Sequence, residues 1–250
     1  MRLVLASASP RRADLLTSAG FAFETLAVDA DERARPGETP PAYVRRLAGV
    51  KSARALDVLS ASSRTGVGPP DRLRPGYGGL LEQRSRTPPA QVEGWYDGRG
   101  SVHLVGGLSD AGQKRANAAE RDLVVLGADT AVVLDGEILG KPRDDKDARA
   151  MLQRLSGRKH EVLTGVSLRT VGEEMGLVEA TSVWFARLTA EAIAWYVSTG
   201  EGRDKAGAYA IQGLASRMIP RIEGSYSNVV GLPVAAVADL LQELNRTRPG

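Results

Sequence analysis

Residues 123–134 read LVVLGADTAVVL, a stretch that is apolar except for the pair Asp129-Thr130. Its first and last thirds have the continuous branched-aliphatic texture of a buried strand. A carboxylate inside such a strand is costly unless it is paired or bound to a cation. Asp129 therefore marks a sheet edge, a bulge or a working site, with a structural ion pair as the competing reading.

The neighbouring patterns place that strand in a larger design. Asp135-Gly136 is a type I′ hairpin signal that returns the chain through residues 137–139. A helix is expected over 145–155, closed by Ser156-Gly157. Two alternating strands over 161–169 and 179–186 should pair. A helix over 189–198 presents Ile193, Tyr196 and Val197, a strand is expected over 217–222, and a helix over 233–244 closes the chain. At the other end, a short strand over 3–6 leads to Ser9-Pro10, which have N-cap and N1 chemistry for a helix ended by Gly20. Residues 21–28 alternate like a strand, and a helix begins near 39–41 and runs past Lys51. Strands and helices are mixed rather than strictly alternating, so the fold class is α/β with a mixed sheet.

With 250 residues, the chain makes one large domain or two small lobes and can bury a core without a staple. Zero cysteines exclude disulfides, thiol nucleophiles and Cys-ligated zinc. The two histidines, His103 and His160, form no HExxH motif. The start, MRLVLASASPRR, has its basic pair after a short apolar run, the wrong order for a secretory signal, and nothing approaches a membrane span. A cytoplasmic location is the expectation. A net charge of +3, with scattered arginines and few aromatics, argues against a nucleic-acid module. Residues 57–120 are rich in Gly and Pro without sustained period, and are expected to be a low-complexity, mostly disordered insertion in the single domain 1–250.

Three groups of residues carry chemistry. Ser7-Ala8-Ser9-Pro10-Arg11-Arg12 puts hydroxyls and guanidiniums at a helix start, where free N–H groups favour anions; plain capping by Ser9 is the alternative. Asp129-Thr130 is the second. The third is a spread of Glu32, Lys51, Lys141 and Asp204-Lys205, singly read as solvated charges but together suited to polyphosphate with Mg²⁺. Gly140-Lys141 is no Walker A loop, and no GxGxxG or GxSxG motif exists. With no nucleophile–histidine pair, attack by an activated water fits better than covalent catalysis.

Taken together, LVLASASPRRADLL (3–16), DADE (29–32), YVRRLAGVKSARA (43–55), VLGADTAVVLDGEILGKP (125–142), ARAMLQRLSGRKHEVLTGVSL (148–168), YVSTGEGRDKAGAYAIQG (196–213) and SYSNVVGLP (225–233) resemble the Maf family of nucleoside triphosphate pyrophosphatases. The resemblance implies an inosine-triphosphatase-like fold: an elongated mixed sheet with two lobes and a central cleft. It implies hydrolysis between the α and β phosphates with a divalent cation, Mg²⁺ or Mn²⁺. Carried onto this chain, Asp129 is the base and, with Glu32, a metal ligand; Ser7, Arg12, Lys51, Lys141 and Lys205 line the phosphates. Arg11, Thr130 and Gln212 match the selectivity positions of the dTTP/UTP branch rather than the 7-methyl-GTP branch. Gln212 offers a donor and an acceptor to the pyrimidine edge.

A homodimer is suggested by resemblance alone. A role also associated with the family, nucleotide-dependent regulation of septum formation without essential catalysis, is the alternative. Two departures stand out: Ala210 occupies a usual glycine position before Gln212, and the insertion is read as an inert spacer rather than a lid or a partner-binding tail.

Overall fold

The computed structural model describes residues 1–65, 73–76, 103–105, 120 and 122–247. The strands are β1 (Arg2–Ala6), β2 (Glu24–Leu26), β3 (Leu73–Pro75), β4 (His103–Val105), β5 (Leu123–Leu134), β6 (Glu137–Leu139), β7 (Lys159–Arg169), β8 (Glu174–Trp184) and β9 (Arg221–Glu223). The α-helices are α1 (Pro10–Ser18), α2 (Pro40–Thr65), α3 (Asp145–Leu155), α4 (Ala190–Ser198), α5 (Tyr226–Val230) and α6 (Val234–Thr247), with 3₁₀ turns at Ala206–Ala208 and Leu214–Met218.

Among the described residues, the nine strands join one sheet in the order β3-β2-β1-β5-β7-β8-β4, with β6 on β5 and β9 on β8. The β1 pairings with β2 and β5 are parallel; every other pairing is antiparallel. This is the mixed sheet that the pattern implied. Period-2 alternation sorts the core between the two faces. Leu3, Leu5, Val124 and Leu126 pack with Leu16 of α1 and Leu240 of α6. Val4, Ala6, Leu123 and Val125 pack with Ala55 and Leu59 of α2. The hairpin signal is realised: Asp135 and Gly136 both have positive φ, 54° and 79°, as a type I′ turn requires.

Several boundaries differ from expectation. The strand expected over 21–28 shrinks to Glu24–Leu26, because β1 offers it only two register partners. The strand expected over 217–222 is instead the 3₁₀ turn Leu214–Met218 followed by β9. The strand β8 is shifted to Glu174–Trp184, where it pairs along the whole of β7. The short helix α5 was not anticipated.

Position 57 is too early a boundary for the insertion, since α2 continues to Thr65 and Leu59 is buried against the sheet. Residues 73–75 and 103–105 also lie within the expected insertion and form edge strands. The remainder of 57–120, including Trp95-Tyr96, falls outside the described residues except Gly76 and Glu120. Ala210 does not have a positive φ; among the described non-glycine residues that conformation belongs to Asp135 and Ala208. The Gly-to-Ala departure before Gln212 is therefore tolerated without backbone strain.

Candidate active site

The strand β5 outruns its neighbour on one side. The β1 register ends at Ala6↔Gly127, and that of β6 begins at Val132↔Leu139. Among the described residues, positions 128–131 have no strand partner on that edge, while the other edge stays paired to β7. Asp129 and Thr130 occupy this gap. Polar residues are placed where the sheet is locally open, beyond the C-terminal end of β1, where ligands of α/β sheets typically bind.

Two glycines bring α2 down onto the gap. A Cβ on Gly127 would lie 2.2 Å from the Ala48 carbonyl oxygen, and one on Gly165 would lie 2.3 Å from that of Val44. Gly127 and Asp129 are two residues apart and share a face. The close approach that Gly127 permits thus delivers a side chain of α2 to Asp129. That side chain is Lys51, whose Nζ donates to Asp129 Oδ1 at 2.6 Å and to Glu32 Oε1 at 3.0 Å.

Lys51 and Asp129 are buried, each side chain 10% exposed. Glu32 is half exposed, on a loop that α2 holds by its backbone. The Tyr43 hydroxyl donates to the Glu32 carbonyl at 2.9 Å, and Arg54 donates to that of Asp29. Burial raises the Asp129 carboxyl above its usual range, against the opposing charges of Lys51 and Arg12. For Glu32, burial pushes upward, but Lys51 outweighs it and leaves the carboxyl below its ordinary value. Two carboxylates on one ammonium are thus held at different proton affinities, the arrangement from which acid–base roles are built.

The other side of the gap is formed by the turn after β1 and by α1. Ser9 occupies the N-cap and Pro10 the first turn, but the Ser9 hydroxyl makes no capping bond. Ser7 Oγ instead accepts the Ser9 N–H at 3.2 Å. The plain capping alternative is thus not realised. Arg12 is buried and donates to Gly231 O at 2.8 Å, Ser7 Oγ at 3.1 Å and Thr130 Oγ1 at 3.0 Å. Burial lowers its pKa, with Asp129 acting against that shift; an arginine nevertheless stays cationic in a protein.

Thr130 Oγ1 also lies 2.9 Å from Thr164 Oγ1 and 3.2 Å from Gly231 O. Its one donor and two acceptor positions are taken up within the protein. Of this network, Thr164 and the Gly231 carbonyl were missed from sequence. Thr164 could have been suspected as a hydroxyl inside the otherwise apolar run 162–166 of β7. The Gly231 carbonyl, 219 positions from Arg12, leaves no local signal. Tyr43 was also missed, although Tyr43, Leu47 and Lys51 fall at i, i+4 and i+8, one face of a helix.

A cavity of about 570 Å³ gathers these groups, a size normal for a small-molecule site. Every residue expected at the site lines it: Ser7, Arg11, Arg12, Glu32 and Lys51, together with Asp129, Thr130, Lys141, Lys205 and Gln212. Lys205 is held 2.5 Å from Asp204, which also lies 3.7 Å from Arg11. His160 lies apart from this set, paired to the Tyr209 hydroxyl at 2.8 Å inside an aromatic cluster with Phe185.

A buried carboxylate in a cavity of arginines, lysines and hydroxyls is an arrangement with the charge to receive a polyanion. Comparison with known proteins gives the family. The family model described as Maf-like protein matches residues 2–69 and 93–244, and the chain belongs to the Maf family. The match omits 70–92, a stretch inside the insertion expected over 57–120.

The chain is 42% identical over 245 residues to a dTTP/UTP pyrophosphatase of Anaeromyxobacter dehalogenans (strain 2CP-C), covering 96% of this chain and 93% of that protein. It is 39% identical over 243 residues to a dTTP/UTP pyrophosphatase of Pseudoalteromonas atlantica, covering 97% of each. A crystal structure of a nucleoside-triphosphatase / dITP/XTP pyrophosphatase from Mycobacterium abscessus aligns at 15% identity and a TM-score of 0.34, over 100% of this chain and 98% of that one. So distant a likeness says nothing about this site.

Proposed function

We propose that this protein hydrolyses dTTP and UTP to the nucleoside monophosphate and pyrophosphate, clearing excess or non-canonical pyrimidine nucleotides from the cytoplasmic pool. The observation that carries the reading is the Lys51–Asp129 pair, set in one cavity with the Ser7–Arg12 cradle. The names of relatives about 40% identical over nearly the whole chain support it. In this reading the cavity is the cleft between two lobes of the long sheet.

Ser7, Arg12, Lys51, Lys141 and Lys205 receive the triphosphate as hydrogen-bond donors and compensating charge. Arg12 is fixed by Ser7, Thr130 and Gly231, so its free N–H groups are already oriented. Asp129, raised by burial, takes a proton from water as the water oxygen bonds to the α phosphorus. The bond from that phosphorus to the bridging oxygen breaks, and pyrophosphate leaves with the electron pair. Thr130 acts on selection through Arg12, and Gln212 meets the base edge.

Glu32 and Asp129 are the residues that would hold a divalent cation: their carboxylates are close enough to share one cationic partner, at present the Lys51 ammonium, at 3.0 and 2.6 Å. Two carboxylates completed by phosphate oxygens and water are a usual Mg²⁺ or Mn²⁺ donor set. Among the described residues, no group of three or more His, Asp or Glu could hold the ion without substrate. When bound, the cation would neutralise phosphate charge and lower the pKa of water.

Hydrolysis of dTTP in ¹⁸O-labelled water tests the reaction. Label in dTMP and none in pyrophosphate is the expected outcome; label in pyrophosphate would place the attack on the β phosphorus.

A further inference from the structure

Gln212 is exposed in the cavity, and the chain on both sides of it is tied to one pair of side chains. On the N-terminal side, the Ala210 N–H donates to the Tyr196 hydroxyl at 3.2 Å. On the C-terminal side, the N–H groups of Leu214 and Ala215 donate to the Glu201 carboxylate at 2.8 and 3.3 Å. The Tyr196 hydroxyl donates in turn to Glu201 Oε1 at 2.8 Å, closing the circuit.

Gly213, between the two tethers, completes the arrangement. A Cβ there would lie 2.2 Å from a Glu201 carboxylate oxygen, so the carboxylate is pressed against the backbone next to Gln212. Tyr196 is 1% exposed and belongs to the core, which gives the clamp a rigid base.

We propose that Glu201 and Tyr196 are positioning residues for base selection, fixing residues 210–215 so that the Gln212 amide is presented to the pyrimidine. Neither side chain touches substrate in this account; both act through Gln212. The proposal rests on the reading that Gln212 meets the base. The partners of the Glu201 carboxylate are two backbone amides and a phenol, which suits a device for holding backbone rather than for balancing charge.

The test compares wild type with Tyr196→Phe, Glu201→Gln, Glu201→Ala and Gln212→Ala, measuring kcat and KM for dTTP, UTP and CTP alongside thermal melting. Tyr196→Phe removes one oxygen and keeps the packing, so it stays informative if Glu201→Ala fails to fold. The dTTP-to-CTP ratio of kcat/KM should fall about tenfold in Tyr196→Phe and Gln212→Ala, mostly through KM for dTTP. Glu201→Gln, which keeps an acceptor, should fall less than Glu201→Ala. If Gln212→Ala collapses the ratio while Tyr196→Phe and Glu201→Gln only lower the melting temperature, the clamp is structural and the proposal is overturned. An unchanged ratio in Gln212→Ala would overturn the base-reading role and the proposal with it.

Discussion

The ammonium of Lys51 lies 2.6 Å from a carboxylate oxygen of Asp129, across 78 positions of chain and inside the protein. Removing one partner of such a pair leaves an uncompensated buried charge. Lys51→Met should therefore cost about 3–5 kcal/mol of stability, read from urea unfolding. Asp129→Asn should cost less, since Lys51 keeps Glu32, while reducing turnover by roughly 10²–10⁴-fold with nucleotide affinity retained. An Asp129→Asn enzyme with wild-type turnover would remove Asp129 from the role of base.

The pair exists because α2 lies directly on the sheet. Gly127→Ala would set a Cβ 2.2 Å from the Ala48 carbonyl and push the helix away. The expected loss is about 1–3 kcal/mol, together with a fall in kcat/KM as Lys51 separates from Asp129. Melting curves and steady-state kinetics on one preparation check both. Unchanged kinetics in a destabilised variant would show that helix approach does not set the geometry of the site.

Much of this was legible in the sequence. Asp129 stood out because a charge in a buried strand demands an explanation, and the structure supplies one in the unpaired edge between β1 and β6. The hairpin at Asp135-Gly136 and the start of α1 at Pro10 were legible because turn chemistry and the preference of proline for the first helical turn are local. The tethering of Thr130 was not, because Thr164 and the Gly231 carbonyl reach it from distant segments. The reach of α2 to Thr65 was missed because composition suggested an insertion before the packing of Leu59 could be known. The strand Glu24–Leu26 was over-extended because alternation continues past the point where partners run out.

Arg12 joins Ser7, Thr130 and Gly231 through three nitrogens. A lysine keeps the charge but not the planar fork. Arg12→Lys should lose about 10²-fold in kcat/KM by misplacing the phosphate cradle. Full activity in this variant would mean that charge alone suffices there.

The buried ring of His160 is lowered by burial from 6.5 to about 4. As pH falls, the unfolded chain takes the proton first, so this stabilising contribution is complete above pH 6.5 and is lost progressively toward pH 4. The loss amounts to roughly 3 kcal/mol. His160→Gln can still bond the Tyr209 hydroxyl without titrating, so wild type minus variant isolates the effect in urea titrations. A difference that stays flat from pH 7 to pH 4 would contradict the burial argument.

The most direct test of the whole account is pyrophosphate release by the full chain from dTTP, UTP and 7-methyl-GTP, with Mg²⁺ and with EDTA. The account predicts release from dTTP and UTP that EDTA abolishes, and little from 7-methyl-GTP. Folded protein that releases no pyrophosphate from dTTP or UTP, or that favours 7-methyl-GTP, would contradict it.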